Sequence, residues 1–174
     1  QQRLAIQMIG DMAVPVSKKK TPMSYDDILV LIRELRGELN LTEEVQVPEK
    51  ITICVVGLDS SGKTSILNSL QGKFGKKTMP TVGFSCVKMQ LSEETVVEIF
   101  DLGGGVKIRG NWQKYYADVH GVVYVVDSAD AARSADTTAL FKETCSASRV
   151  AGKPMLILGS KQDCDGAKSS EDIA

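Results

Sequence analysis

One octapeptide carries most of the chemistry in this chain: Gly57-Leu-Asp-Ser-Ser-Gly62-Lys63-Thr64. Its spacing is G-x-x-x-x-G-K-[ST], in which glycines let the backbone wrap closely around a phosphate and present its N–H groups. The lysine brings a point charge to β- and γ-phosphates, and the threonine offers a hydroxyl to Mg²⁺. Asp59, Ser60, Ser61, Gly62, Lys63, Thr64 and Ser65 are therefore the residues expected to line a nucleotide's phosphates. The context agrees. Ile51–Val56 ahead of the loop reads as a buried strand, and Lys63–Leu70 behind it as a helix whose positive N-terminal end favours an anion.

Three weaker motifs follow in order. Asp101-Leu-Gly103-Gly104 ends a β-rich run. An acid there can hold the Mg²⁺ shell through water, and a flexible glycine lets a backbone N–H reach a γ-phosphate. Pro80-Thr81-Val-Gly83 lies in the loop ahead of a second strand, and Ser160-Lys161-Gln162-Asp163 closes the last one. Each is common alone; together, behind a phosphate loop, they point to one site.

The elements that must position these groups read as alternating strands and helices. Strands are expected at 51–56, 85–91, 95–100, 121–126 and 154–158, with Ser92-Glu93-Glu94 as the turn between the second and third. Helices are expected at 63–70 and 130–148. Continuous Val/Ile runs between helices imply an α/β fold with a mostly parallel sheet covered on both faces. The first residues differ in character. Residues 1–23 lack a period, carry Lys18-Lys19-Lys20, and read as a flexible arm. Ser24 and Asp27 fit a capping box ahead of Ile28, Leu31, Ile32, Leu35 and Leu39, so 24–47 reads as an amphipathic helix and linker. That helix either packs on its own domain or covers a partner groove or membrane surface. The nucleotide-binding domain is expected over 48–174.

Composition narrows the class. With 174 residues, 43% of them hydrophobic, the chain can bury one sizeable core. Twenty-one Lys and Arg against 22 Asp and Glu give a net charge of −1, which weighs against nucleic acid or an anionic membrane as the main partner. No run of about 18 apolar residues spans a membrane. Cys54, Cys86, Cys145 and Cys164 have no paired spacing and read as reduced thiols, with an intracellular setting expected.

The ordered motifs resemble the Arf and Arf-like small GTPases. The likeness rests on Gly57–Thr64, Met79–Phe84, Asp101–Gly104, Trp112–Tyr116, Val125–Ser128 and Lys161–Asp163, over roughly residue 50 to the end. Ile99–Gly105, Ile108-Arg-Gly110 and Tyr115-Tyr116-Ala117 look most like the ciliary, type-13 branch of the Arf-like proteins. The resemblance implies a P-loop small-GTPase fold that binds GTP or GDP with Mg²⁺. Thr64 and Thr81 would ligate the ion, and Asp101 would reach it through water. Gly104 would contact the γ-phosphate, Asp163 would pair with the guanine edge, and Lys161 would lie under the base. The short hairpin over 87–95 would shift register between states. Protein effectors would meet the switch regions, with peripheral membrane contact and a cilium or flagellum as the implied setting. In that branch the GTP form promotes nucleotide exchange on another Arf-like GTPase.

Three departures qualify the resemblance. Gly105 stands where the family has the Gln that orients the attacking water, so hydrolysis is expected to be slow and no catalytic residue is assigned. Ser160 replaces an Asn and makes fewer hydrogen bonds, so affinity is expected to fall while guanine preference stays. The chain begins at Gln1 and ends at Ala174, short of the family's last strand, base loop and helix. A truncated chain is expected, with the 154–158 strand at an uncovered sheet edge. The competing readings are a conventional GTPase that needs an activating partner, and a degenerate scaffold without nucleotide. Of the smaller candidates, His120 reads as structural, Trp112, Tyr115 and Tyr116 as packing residues, and Cys54 as a core thiol.

Overall fold

The computed structural model describes residues 5–8, 50–75 and 77–173. The expected amphipathic helix over 24–47 and its capping box lie outside the described residues.

The Val- and Ile-rich runs form the middle of a six-stranded sheet of order β1-β6-β5-β2-β4-β3. The strands are β1 (Ala5–Met8), β2 (Lys50–Val56), β3 (Phe84–Gln90), β4 (Val96–Leu102), β5 (Gly121–Asp127) and β6 (Met155–Ser160). β2 pairs in parallel with both β4 and β5, and β5 in parallel with β6. β3 folds back antiparallel on β4, from Phe84 opposite Leu102 to Gln90 opposite Val96. The helices are α1 (Lys63–Leu70), α2 (Val106–Arg109), α3 (Trp112–Tyr116), α4 (Ser134–Ser146) and α5 (Ser170–Ile173), with a 3-10 turn at Ala131–Arg133.

Strand alternation sends neighbouring side chains to opposite faces, and two cores result. Cys54 and Val56 pack with Trp112, Tyr116, Tyr124 and Leu140 on one face. Val55 packs with Ile66, Leu67, Val125 and Leu158 on the other. Chain order reverses at β2, with β4 on one side and β5 on the other, so the carboxyl end of β2 opens into a crevice. The phosphate-loop motif begins there.

The sheet edge differs from expectation. Four residues of the 1–23 stretch, Ala5–Met8, pair antiparallel with Leu156–Gly159, so the edge expected to be bare carries a strand. A β6 backbone with open donors and acceptors on one side is satisfied by any strand that reaches it. The expected 130–148 helix is also divided. Asp130 accepts from the backbone N–H of Arg133 and caps the 3-10 turn, and α4 begins only at Ser134.

Candidate nucleotide-binding site

The phosphate loop is shaped by what lies beneath it. Gly57 has φ 140°, and a Cβ there would lie 2.3 Å from the Val125 carbonyl oxygen. Gly62, at φ 90°, turns the chain into α1, and Ser60 also takes a left-handed conformation. The loop therefore sits directly on β5. Lys63 is buried and folds back under the loop, where Nζ donates to Gly57 O at 3.1 Å and Leu58 O at 2.6 Å. Burial lowers its pKa from 10.5 to about 8, and the nearby Asp101 carboxylate partly opposes that shift. An arriving phosphate would restore the cation's partner.

Three of the expected residues converge although they are far apart in sequence. Thr64 Oγ1 donates to Asp101 Oδ2 at 2.6 Å, and Thr81 Oγ1 lies 3.3 Å from the same oxygen and 2.9 Å from Thr64 Oγ1. Asp101 is completely buried, and burial raises its pKa above the usual carboxylate value. Among the described residues its Oδ1 has no hydrogen-bond partner. A buried carboxylate oxygen without a donor beside two hydroxyls fits Mg²⁺, a hard ion that keeps several waters and takes few protein ligands. Thr64 and Thr81 are the direct ligand candidates, and Asp101 would hold a water of the ion's shell.

The glycine run Gly103–Gly105 is not uniform. A Cβ on Gly103 would lie 2.5 Å from Thr81 O, and one on Gly104 only 2.4 Å from Asp59 N and 2.5 Å from Gly57 O. Both positions need glycine because three backbones meet there. Gly105 has φ −68° and ψ 145°, and among the described residues a Cβ there would find only Ile108 Cδ1 at 4.0 Å. Its backbone suits any residue.

Ser160 is fully buried at the end of β6. Its hydroxyl lies 2.6 Å from Ser61 O and 3.0 Å from Val126 O, so one donor ties the phosphate loop to β5. Lys161, at φ 57°, sets its ammonium against Asp127. Asp163 stands exposed on the following turn. The loop residues, Thr81, Asp101, Gly104 and Ser160 are thus gathered, while Asp163 stands apart. Ser65 points its hydroxyl towards Thr78, 3.4 Å away.

Sequence reasoning missed two arginines. Arg109 Nε donates to Gly104 O at 2.6 Å and its guanidinium lies 3.7 Å from Asp59 Oδ1. Arg133 reaches the same carboxylate at 3.5 Å and the Asp59 carbonyl at 3.2 Å, and pairs with Asp130 at 2.6 Å. Arg109 falls inside the resembling stretch, but no spacing in the sequence gives it a partner. The smaller candidates take structural places. His120 Nδ1 accepts from Thr52 N at 2.9 Å, Cys54 is buried, and Trp112 and Tyr116 are core residues. The four cysteines are free thiols. Among the described residues no helix is long and apolar enough to cross a membrane.

Comparison with known proteins supplies the remaining findings. Residues 39–174 match the model of the ADP-ribosylation factor family. ADP-ribosylation factor-like protein 13B of Chlamydomonas reinhardtii is 42% identical over 124 residues, which cover 71% of this chain but 23% of that relative. ADP-ribosylation factor-like protein 2 of Arabidopsis thaliana is 36% identical over 79% of this chain and 74% of that relative. A solved Arl6 (BBS3) small GTPase from Trypanosoma brucei, with bound nucleotide analogue GppNp, superposes with a TM-score of 0.59. It is 29% identical, over 71% of this chain and 74% of its own.

Proposed function

The chain belongs to the ADP-ribosylation factor family of small GTPases, and from that premise we propose that it is a guanine-nucleotide switch that holds GTP and hydrolyses it poorly. The observation that carries the reading is Gly105, which has room and ordinary dihedrals for a side chain but offers none. In this reading the loop N–H groups and Lys63 bind the phosphates, and Thr64, Thr81 and Asp101 hold Mg²⁺, whose charge offsets that on the β- and γ-oxygens. Asp163 reads the guanine edge. Gly105 has no side chain to orient the attacking water, so in this reading the bound state persists until a partner ends it.

The finer role is part of the same proposal. The 42% identity with a factor-like protein 13B supports placing this chain with the branch whose GTP form promotes exchange on a second Arf-like GTPase at the cilium. The exposed Met79, Val82, Phe84 and Val106 along the switch segments give effectors an apolar surface. The nucleotide retained on purification, read by chromatography of the denatured protein, tests the reading. GTP in excess of GDP is expected. A predominance of GDP favours the conventional GTPase that turns over with an activating partner, and protein free of nucleotide favours the scaffold.

A further inference from the structure

The two glycine peptides of the second switch are each gripped by a side chain at the carbonyl. Trp112 Nε1 donates to Gly103 O at 3.0 Å from within the core, where only 3% of the residue is exposed. Arg109 Nε donates to Gly104 O at 2.6 Å. Among the described residues there are no cis peptide bonds. In a planar trans peptide the N–H points opposite to the preceding C=O. Holding the Gly103 carbonyl therefore aims the Gly104 N–H, and holding the Gly104 carbonyl aims the Gly105 N–H, each away from its side chain. Among the described residues neither N–H has an acceptor. Gly104 is buried and Gly105 half-buried, so a backbone donor left unpaired there is open to a ligand oxygen or to water.

We propose that the Gly105 N–H is a second backbone donor to the nucleotide's terminal phosphate, beside that of Gly104, and that Arg109 is the positioning residue that aims it. This rests on the nucleotide reading above and deepens it. Position 105 serves recognition through its backbone while lacking the side chain for hydrolysis, so tight GTP binding and slow turnover arise at one residue. Arg109 is suited to the task because its guanidinium also lies near Asp59 of the phosphate loop. Its fork thus links the second switch to the loop that holds the remaining phosphates. Trp112 is held by the core and fixes the Gly104 N–H whether or not Arg109 is present.

The geometry at Gly105 allows a clean test. With φ −68° the position matches proline, and Gly105 precedes α2, where its own N–H serves no helical bond. Gly105→Pro removes the N–H, and Gly105→Ala keeps it. The affinities of a fluorescent non-hydrolysable GTP analogue and of fluorescent GDP would be measured on the full chain. Gly105→Pro should weaken the triphosphate about tenfold and leave GDP unchanged, while Gly105→Ala binds both like wild type, a loss typical of one hydrogen bond to a charged acceptor. Arg109→Gln should weaken the triphosphate roughly fivefold, again sparing GDP, with Arg109→Lys restoring part of the loss. Equal loss of both nucleotides in Gly105→Pro, or no loss of either, overturns the donor assignment. An Arg109→Gln effect on GDP as large as on the triphosphate makes the arginine structural and overturns its positioning role. A wild-type chain that binds neither nucleotide instead overturns the function on which the proposal rests.

Discussion

The phosphate loop and the second switch face the same crevice but are held in different ways. The loop is supported from below. Gly57 lies on the Val125 carbonyl, Ser160 grips Ser61 O, and the Lys63 ammonium bonds two loop carbonyls. The first two contacts join the loop to β5 and β6 of the sheet, and the third ties the loop to itself. The second switch lies over the loop and is held from the side by Trp112 and Arg109, while Val106 at the start of α2 is 80% exposed. A site needs both kinds of support. In the proposed reading the loop would bind the phosphates common to GDP and GTP, and the second switch, whose following residues Gly105 and Val106 are less buried, would sense the terminal one.

Changes to the rigid half should have the largest effects and should not distinguish the two nucleotides. Lys63→Ala removes the buried cation from both, a loss of about 2–5 kcal/mol in affinity. Titration with fluorescent GTP and GDP analogues should show parallel losses; a loss confined to GTP would place Lys63 in the switch half instead.

The same lysine gives the rigid half a pH dependence. Its folded pKa, about 8 without ligand, is below the ordinary 10.5, so the unfolded chain binds more protons between those values. The cost of burying the charge is therefore present below pH 8 and is relieved as pH rises. Nucleotide binding runs the other way. Above pH 8 the lysine of the empty site is neutral and must take up a proton to hold phosphate, so affinity should weaken towards about tenfold per pH unit. Isothermal titration from pH 7 to 9 in buffers of differing ionisation heat would detect that proton; flat affinity across the range would contradict the buried-cation picture.

Ser160 offers a smaller perturbation of the same half. Ser160→Ala removes the hydroxyl that donates to the buried Ser61 carbonyl, at a cost of about 1–3 kcal/mol in stability. Thermal unfolding of the empty protein should register it, and nucleotide release should quicken for GDP and GTP alike. Release that quickens only for GTP would mean that Ser160 acts through the switch.

Much of the rigid half was legible in the sequence because its signals are local. The Ile51–Val56 run, the glycine spacing and the Lys63–Leu70 helix are consecutive, and buried parallel strands appear as unbroken Val/Ile runs. Thr81 and Asp101 were legible through their motifs, and the structure brings both to Thr64. The switch half was less legible because its contacts are tertiary. α2 has four residues between Gly105 and Gly110, too short for a period. The Arg109 bond to Gly104 O crosses a turn that only the folded backbone defines. The Ala5–Met8 strand is too short to stand out, and its pairing with β6 is a long-range choice. Ser160 read as a shortened base contact; its hydroxyl in fact lies against the underside of the phosphate loop, which no spacing reveals.

The sharpest test of the account is hydrolysis at position 105, where the switch half has backbone but no side chain. Single-turnover phosphate release from GTP-loaded protein should be slow, on the order of 10⁻⁴ s⁻¹ or below, the scale of isolated Ras-type domains. Gly105→Gln fits the existing dihedrals and open space, so it should raise the rate while leaving GTP affinity nearly unchanged. Wild-type release faster than that of the Gln variant would mean that another residue positions the water, and the GTP-holding switch would have to be abandoned.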